Sequence, residues 1–261
     1  MLSSYGTDIV AELLRPVDES SGWLIVVPFY DTPSVFGEPT ARTRLQGKAS
    51  TQNAHGLQLV ADGHSVLAVP WWTEVQAAAD PETADQTDLA ARYGPVASRH
   101  SQERSTTGLG RSIADLMLAV TALEESGLSS NVGLACFGHS LGGKLSMYLT
   151  ALDPRIEVGA AHEAGLGYAH SNWGEEWYLG SAFPRHQDQD QLLALVAPRP
   201  FLVVGGGDSD GIHNIDLVRS ARRSWPDDRG LELLLHDGGH AMPKHVMAGV
   251  SAWFRGRPRT H

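Results

Sequence analysis

A serine in a glycine-flanked turn is the residue of this sequence with the clearest chemical potential. Residues 138–142 read Gly-His-Ser-Leu-Gly and stand between an apolar run, 132–137, and a stretch of helical composition, 144–152. A serine on a sharp strand-to-helix turn presents its hydroxyl clear of the backbone, and the two glycines remove side chains that would collide there. The first N–H groups of the following helix point to where negative charge would develop. The pattern therefore predicts that Ser140 is a nucleophile.

His240 is the predicted general base for this serine. A serine hydroxyl is a weak nucleophile at neutral pH and needs a base, which in turn needs an orienting carboxylate. The sequence holds 12 histidines, so position has to select among them. His240 follows the last apolar run, 231–235, and comes directly after Gly238 and Gly239, which let the loop turn the imidazole inward. His236, in the same loop, is the alternative.

Three carboxylates compete for the position beside His240. Asp208 and Asp210 lie in the loop after the apolar run 200–205, and Glu163 follows the run 156–161. Each choice gives the order nucleophile, acid, base along the chain, which is one of the orders that such triads use. We favour Asp210, with Asp208 and Glu163 as alternatives. Either aspartate could instead be a solvated turn residue, and Glu163 could be a structural acceptor or a substrate contact.

Stabilisation of an oxyanion requires two donors near Ser140. One is expected to be the backbone N–H of Leu141, the residue after the nucleophile. The loop that follows the apolar run 22–28 offers the second, through the N–H of Phe29 or Tyr30 or through the Tyr30 hydroxyl. Phe29 could equally be a core residue.

Five aromatic residues stand in segments that we expect near this turn: Trp71, Trp72, Trp173, Trp177 and Tyr178. Aromatic side chains in a cleft could hold a sugar ring or another flat or apolar acyl group. Each of them could instead pack the segment to which it belongs.

The elements that must position these residues alternate between short apolar runs and helical stretches, which is typical of an α/β fold with a mostly parallel sheet and helices on both faces. We expect one domain over residues 1–261, with insertions at roughly 73–107 and 166–191 over the cleft. The segment 73–107 is polar without clear periodicity and is predicted to be irregular. Predicted strands lie at 7–15, 22–28, 65–70, 132–137, 156–161, 200–205 and 231–235. Predicted helices lie at 51–62, 112–126, 144–152, 191–196, 215–224 and 244–254.

The composition excludes several classes of function. The chain of 261 residues is 42% hydrophobic and 19% charged, and its formal net charge is -10, which argues against binding to nucleic acid or to an anionic membrane. The single cysteine, Cys136, allows no internal disulfide and no cysteine metal cluster, and we expect it to be buried. The N-terminal residues show no basic region followed by a long apolar run, so we expect no signal peptide, no membrane span and a cytoplasmic protein. No metal or organic cofactor is predicted.

Four segments of the chain resemble the α/β-hydrolase superfamily over roughly residues 20–255, and in particular its dienelactone hydrolase-like and acetyl xylan esterase-like serine esterases. The segments read Gly-His-Ser-Leu-Gly-Gly-Lys at 138–144, Leu-Asp-Pro-Arg-Ile at 152–156, Ala-Pro-Arg-Pro-Phe-Leu at 197–202 and Gly-Gly-His at 238–240. The resemblance implies a serine carboxylic-ester hydrolase that forms an acyl-enzyme on a small or carbohydrate-linked ester. An amide or carbon–carbon bond hydrolase would use the same triad. A non-catalytic binding protein on this scaffold is the other alternative, and the intact serine, acid and histidine candidates argue against it.

Two related groups of enzymes differ from this sequence at informative positions. In glucuronoyl esterases the serine is followed by an arginine that is thought to help hold the oxyanion, and some of these enzymes take their acid from the position of Glu163. Leu141 stands in place of that arginine, which favours a general esterase. Dienelactone hydrolases proper use a cysteine nucleophile, from which Ser140 also departs.

Overall fold

A seven-stranded sheet forms the centre of the structure. The computed structural model describes residues 5–6, 8–17, 22–47, 53–129, 132–227 and 229–258. In spatial order the strands are β1, β3, β2, β4, β5, β6 and β7, and β1 alone is antiparallel to its neighbour. The carboxyl ends of the six parallel strands therefore meet at one edge of the sheet, where ligands bind in folds of this type. The strands are β1 (Glu12–Leu14), β2 (Leu24–Phe29), β3 (Ser65–Pro70), β4 (Leu134–His139), β5 (Val158–His162), β6 (Phe201–Gly205) and β7 (Leu231–Leu235).

Helices cover both faces of this sheet, and alternate residues of each strand face one side or the other. In β2, Leu24 and Val26 belong to one apolar cluster, whereas Ile25, Val27 and Phe29 belong to the other. The helices are α1 (Thr32–Val35), α2 (Ala41–Leu45), α3 (His55–Ala61), α4 (Trp72–Ala79), α5 (Leu89–Arg104), α6 (Gly108–Glu125), α7 (Leu141–Leu152), α8 (Asp190–Ala194), α9 (Ile215–Arg222) and α10 (Lys244–Arg255).

The predicted fold class and the predicted strands are confirmed, with β3 and β7 at the predicted bounds. The predicted helix at 51–62 begins at His55, and residues 51 and 52 lie outside the described part of the chain. No helix in the described ranges combines the length and hydropathy needed to cross a membrane. The single-domain assignment stays a prediction.

The prediction of an irregular segment at 73–107 is wrong, because α4 and α5 occupy most of it. A buried ion pair explains why the helical pattern is not evident in the sequence. Arg92 of α5 is buried and donates from Nε and Nη2 to the Glu74 carboxylate of α4, at 2.8 Å in each case. The Tyr93 hydroxyl donates to the same carboxylate at 2.8 Å. Charged side chains at core positions interrupt the apolar period that would otherwise indicate a helix.

Candidate active site

Ser140 lies at a strained turn between β4 and α7. Its φ of 56° and ψ of -117° are unusual for a residue with a side chain. The Ser140 N–H donates to His162 O at 2.8 Å, which ties the turn to β5. Glycine is needed on both sides of the turn, since a Cβ at Gly138 would lie 1.9 Å from Gly142 O and one at Gly142 would lie 2.2 Å from Pro28 O. The strand-to-helix context that the sequence predicts is present.

His240 lies against this serine. The distance between His240 Nε2 and Ser140 Oγ is 2.9 Å, although the two residues are 100 positions apart. The His240 side chain is 46% exposed, so one side of the pair faces solvent. His236, the alternative base, is directed elsewhere, because its Nε2 lies 2.9 Å from His162 Nε2.

Glu163 is the carboxylate that reaches the imidazole of His240. Its Oε2 lies 3.6 Å from His240 Nδ1, and its side chain is fully buried. The residue has a left-handed φ of 49°. Its carboxylate accepts from the N–H groups of Gly206 and, at 2.6 Å, Ser209. Burial acts to raise the pKa of Glu163, but the hydrogen bonds from His240, Gly206 and Ser209 outweigh it, so the pKa is lowered and the carboxylate is charged.

The preference for Asp210 as the partner of His240 is wrong in geometry. Asp210 is 1% exposed and accepts from Gly165 N–H at 3.0 Å, Leu166 N–H at 2.7 Å and Asn214 Nδ2 at 2.7 Å. These bonds join the loops after β5 and β6. Burial, partly offset by the backbone N–H donors, raises the pKa of this carboxyl. Asp210 is therefore a structural acceptor, which is the role that the sequence also allowed for Glu163.

Asp208 lies beside His240 but contacts its backbone. The Asp208 Oδ2 accepts from the His240 N–H at 2.8 Å. The side chain is exposed, unlike that of Glu163. Asp208 therefore fixes the loop that carries the imidazole, through the His240 backbone N–H.

The candidate oxyanion donors flank Ser140. Leu141 begins α7, where the first N–H groups have no partner within the helix. Phe29 is the last residue of β2, and Tyr30 is the first beyond it. The Tyr30 ring packs edge-on against Trp71 and lies under the guanidinium of Arg42, at 4.1 Å from the ring centroid. The described residues give no hydrogen-bond acceptor for the backbone N–H of either Leu141 or Tyr30.

A cavity of about 520 Å³ opens over Ser140 and His240. Both predicted insertions border it, the first through Thr87 and Leu89 and the second through Ser171, Asn172 and Tyr178. Polar side chains dominate its wall: Arg42, Gln46, Asn53, Thr87, Lys144, Ser171, Asn172 and Ser209.

Four of the five predicted aromatic contacts are core residues and do not line this cavity. Trp71 and Trp72 are buried, and their indole N–H groups both donate to Ser112 Oγ at 3.0 Å. Trp173 is fully buried and donates to Gly165 O at 2.7 Å. Trp177 is 4% exposed. Tyr178 alone among the five borders the cavity, although little of its surface is exposed.

Lys144 is a cavity residue that was not predicted. Its Nζ donates to Ala164 O at 2.8 Å and to Ser171 Oγ, and it lies 4.2 Å from the centroid of the Trp173 ring. Burial lowers the pKa of Lys144 to about 7, against the opposing effect of Asp210. The sequence held a signal for it, since Lys144 lies in the first turn of the helix that follows Ser140.

Glu163, Asp208 and His240 also form the one group in the described ranges whose ligand atoms are close enough to suit a metal ion, all within 4.8 Å of one another. Their lone pairs and protons already have partners. Glu163 accepts from two backbone N–H groups, Asp208 accepts from the His240 N–H, and His240 Nε2 faces Ser140. The arrangement suits proton transfer at Ser140 better than metal ligation.

Comparisons with solved structures define the fold class. The glucuronoyl esterase of Solibacter usitatus matches with a TM-score of 0.65 and 16% sequence identity, over 95% of this chain and 76% of that one. A carbohydrate esterase family 15 glucuronoyl esterase from Caldicellulosiruptor kristjansonii matches with a TM-score of 0.60 and 16% identity, over 96% and 74%. A protein of Klebsiella pneumoniae assigned as a dienelactone hydrolase matches with a TM-score of 0.63 and 15% identity, over 98% and 95%. No protein-family model and no curated protein sequence matches the chain.

These likenesses show that the chain has the α/β-hydrolase fold, as the sequence motifs implied. At sequence identities of 15% and 16%, these similarities establish the fold but not the activity. The function has to be argued from the site.

Proposed function

We propose that this protein is a serine carboxylic-ester hydrolase. The observation that carries the proposal is a pair of contacts: a hydrogen bond of 2.9 Å between Ser140 Oγ and His240 Nε2, and an ionic contact of 3.6 Å between His240 Nδ1 and the buried Glu163 carboxylate. These are the contacts that activate a serine hydroxyl. Glu163 takes the role of triad acid, in place of the aspartate that the sequence favoured.

The chemistry follows from the positions of these groups. His240 Nε2 takes the proton of Ser140 as Oγ attacks the ester carbonyl, and the imidazolium passes that proton to the leaving alcohol. The charged Glu163 carboxylate holds the proton of His240 on Nδ1 and stabilises the imidazolium. Water, deprotonated by the same imidazole, then hydrolyses the acyl-enzyme and releases the acid.

The tetrahedral oxyanion is held by backbone donors. The N–H of Leu141 stands at the start of α7, where the helix dipole also favours negative charge. The N–H of Tyr30, just beyond β2, is the second donor in this proposal, because it has no other acceptor among the described residues. Backbone donors are fixed before the reaction and so add no cost of reorganisation.

The chain and its structural neighbours support an ester substrate with polar groups. The neighbours include glucuronoyl esterases, and the cavity wall offers hydrogen-bonding side chains from both insertions. A small or carbohydrate-linked ester fits this wall better than a long acyl chain would.

Replacement of Ser140 by alanine tests the proposal. The wild-type protein is expected to hydrolyse short p-nitrophenyl esters, and Ser140→Ala should reduce kcat by at least about a thousandfold because the covalent route is lost. Ser146→Ala is a matched control, since this serine lies on the same helix but donates to Ala160 O away from the cavity. An alanine variant at 140 with the activity of the wild type would refute the assignment.

A further inference from the structure

Three histidines that the proposed chemistry does not use form a continuous row beside the site, and His139, at one end of the row, lines the cavity and packs against the His240 ring at 5.0 Å between centroids. His139 ends β4, His162 ends β5, and His236 follows β7. His139 Nδ1 lies 2.7 Å from His162 Nδ1, and His162 Nε2 lies 2.9 Å from His236 Nε2. The centroids of neighbouring rings are 4.9 Å and 5.1 Å apart, and the ring planes are inclined by only 27° and 21°, as expected for rings joined edge to edge through their nitrogens. We call these three residues the histidine row.

One backbone contact assigns every proton in the row. The Gly238 N–H donates to His236 Nδ1 at 3.0 Å, so that nitrogen is an acceptor and a neutral His236 carries its proton on Nε2. His236 therefore donates to His162 Nε2. The proton of a neutral His162 is then on Nδ1, from which it donates to His139 Nδ1. The row is a directed chain from the β7 loop to the strand that carries Ser140.

The surroundings keep His162 and His236 neutral. His162 is fully buried, and burial is the main reason that its pKa is lowered to about 3, against the charge of Glu163 and together with His236, His55 and His240. Burial also lowers the pKa of His236, with His245, against the charges of Glu163 and Asp237. If an acceptor nitrogen of the row were protonated, its N–H would face the N–H of its neighbour, and the hydrogen bond between them would be lost.

The backbone is shaped to let His236 reach His162 across the end of β6. A Cβ at Gly206 would lie 1.9 Å from Gly239 O and 2.7 Å from His236 Cε1, so a side chain at that position would collide with both the loop of His240 and the His236 ring. The other anchors of the loop that carries His240 go to the β6 exit: His236 N–H to Gly205 O at 2.9 Å, Gly239 N–H to Gly206 O at 3.1 Å, and His240 N–H to Asp208. The row adds a link to β5 and β4, on the side where Ser140 lies.

We propose that the histidine row is a positioning device, which fixes the loop of His240 against the turn of Ser140 through the directed chain from His236 to His139. His236, His162 and His139 are positioning residues in this account, since the proposed proton transfers do not pass through them. The expected change in kcat rests on the proposed function, whereas the fixed position of the His240 loop rests on the hydrogen bonds alone. A small displacement of a base is costly, since about 1 Å can lower a rate about a hundredfold.

Two substitutions of His236 separate the hydrogen bond from the volume of the side chain. His236→Gln places an amide donor where Nε2 stands, whereas His236→Met has similar length and no donor. With p-nitrophenyl acetate, we expect kcat of the glutamine variant to stay within about threefold of wild type, and that of the methionine variant to fall by about tenfold or more, with KM changed less than about twofold. His186→Met, at an exposed position, is the matched control. Equal kcat values for the glutamine and methionine variants would overturn the proposal.

Nitrogen-15 NMR of the unsubstituted protein tests the row without activity or folding of a variant. Through-hydrogen-bond N–N couplings are expected between His236 and His162 and between His162 and His139, and the absence of both would overturn the proposal. The His240 imidazole signals should be preserved in His236→Gln and shifted in His236→Met. If wild type shows no Ser140-dependent hydrolysis, the proposed function fails, while these couplings and shifts still decide the row.

Discussion

Replacement of Glu163 by glutamine is the perturbation that separates the candidate acids. Glutamine keeps one acceptor oxygen, which can replace Oε1 opposite the Gly206 N–H or Oε2 opposite the Ser209 N–H but not both, and the charge beside His240 is lost. Some loss of stability is therefore expected together with the loss of charge. At 3.6 Å between Glu163 Oε2 and His240 Nδ1, the attraction to an imidazolium is about 5 kcal/mol at an effective dielectric constant of 20. His240 is 46% exposed, which reduces this to about 3 kcal/mol and predicts a loss on the order of a hundredfold in kcat.

The assay is steady-state hydrolysis of p-nitrophenyl acetate by Glu163→Gln, Asp208→Asn and Asp210→Asn, with melting temperatures measured in parallel. Asp208→Asn should lower kcat by less than about tenfold, because the hydrogen bond of Asp208 is to the His240 backbone N–H and an asparagine oxygen can still accept it. Asp210→Asn should lower the melting temperature clearly while kcat changes little, because the Asp210 carboxylate joins two loops and does not contact His240. A larger loss of kcat in either aspartate variant than in Glu163→Gln would refute the choice of Glu163.

Two further predictions concern stability. Since burial lowers the pKa of His162 to about 3 and of His55 to about 4, the unfolded chain binds more protons than the folded one below about pH 6.5. The free energy of unfolding should therefore fall by about 2 kcal/mol for each histidine between pH 6.5 and pH 5, and equal urea midpoints at pH 7 and pH 5 would contradict this. Glu74→Leu leaves Arg92 buried without its carboxylate partner and should lower the free energy of unfolding in urea by about 3–5 kcal/mol. Arg99→Met, which breaks an exposed ion pair, should lower it by less than about 1 kcal/mol. Similar losses for the two variants would contradict a special role of the buried pair.

The elements that carry Ser140 and His240 of the candidate site could be predicted because each has a local signal. The apolar runs of β3 and β7 end in turn residues, and Ser140 is marked by glycines whose absence of a Cβ the turn requires. His240 follows from its place after the last strand. Local pattern and tertiary requirement agree at these positions, which is why the sequence predicts them.

The acid could not be selected from the sequence, because the choice depends on the direction of side chains at neighbouring strand ends. Glu163 reaches His240 through a left-handed backbone and two backbone N–H donors from the β6 loop. Asp210, in the expected loop, turns inward to bind the β5 exit. Neither the left-handed backbone of Glu163 nor the inward direction of Asp210 can be inferred from residue type or spacing.

The aromatic residues show the opposite difficulty, since residue type alone suggested a binding role. Trp71 and Trp72 share one acceptor, Ser112 Oγ, in the core, and Trp173 packs beneath Lys144. The indole N–H needs a buried partner, and the partners lie on elements distant in sequence. Pairing of this kind is visible only in three dimensions.

Labelling by a fluorophosphonate probe tests the central claim most directly, because the probe reacts only with a serine that a base has activated. We expect one covalent adduct in wild type, mapped by mass spectrometry to the peptide that contains Ser140. The adduct should be absent in Ser140→Ala and should form much more slowly in Glu163→Gln and His240→Ala. A wild-type protein that takes no label, or an adduct on another residue with Ser140 free, would contradict the account.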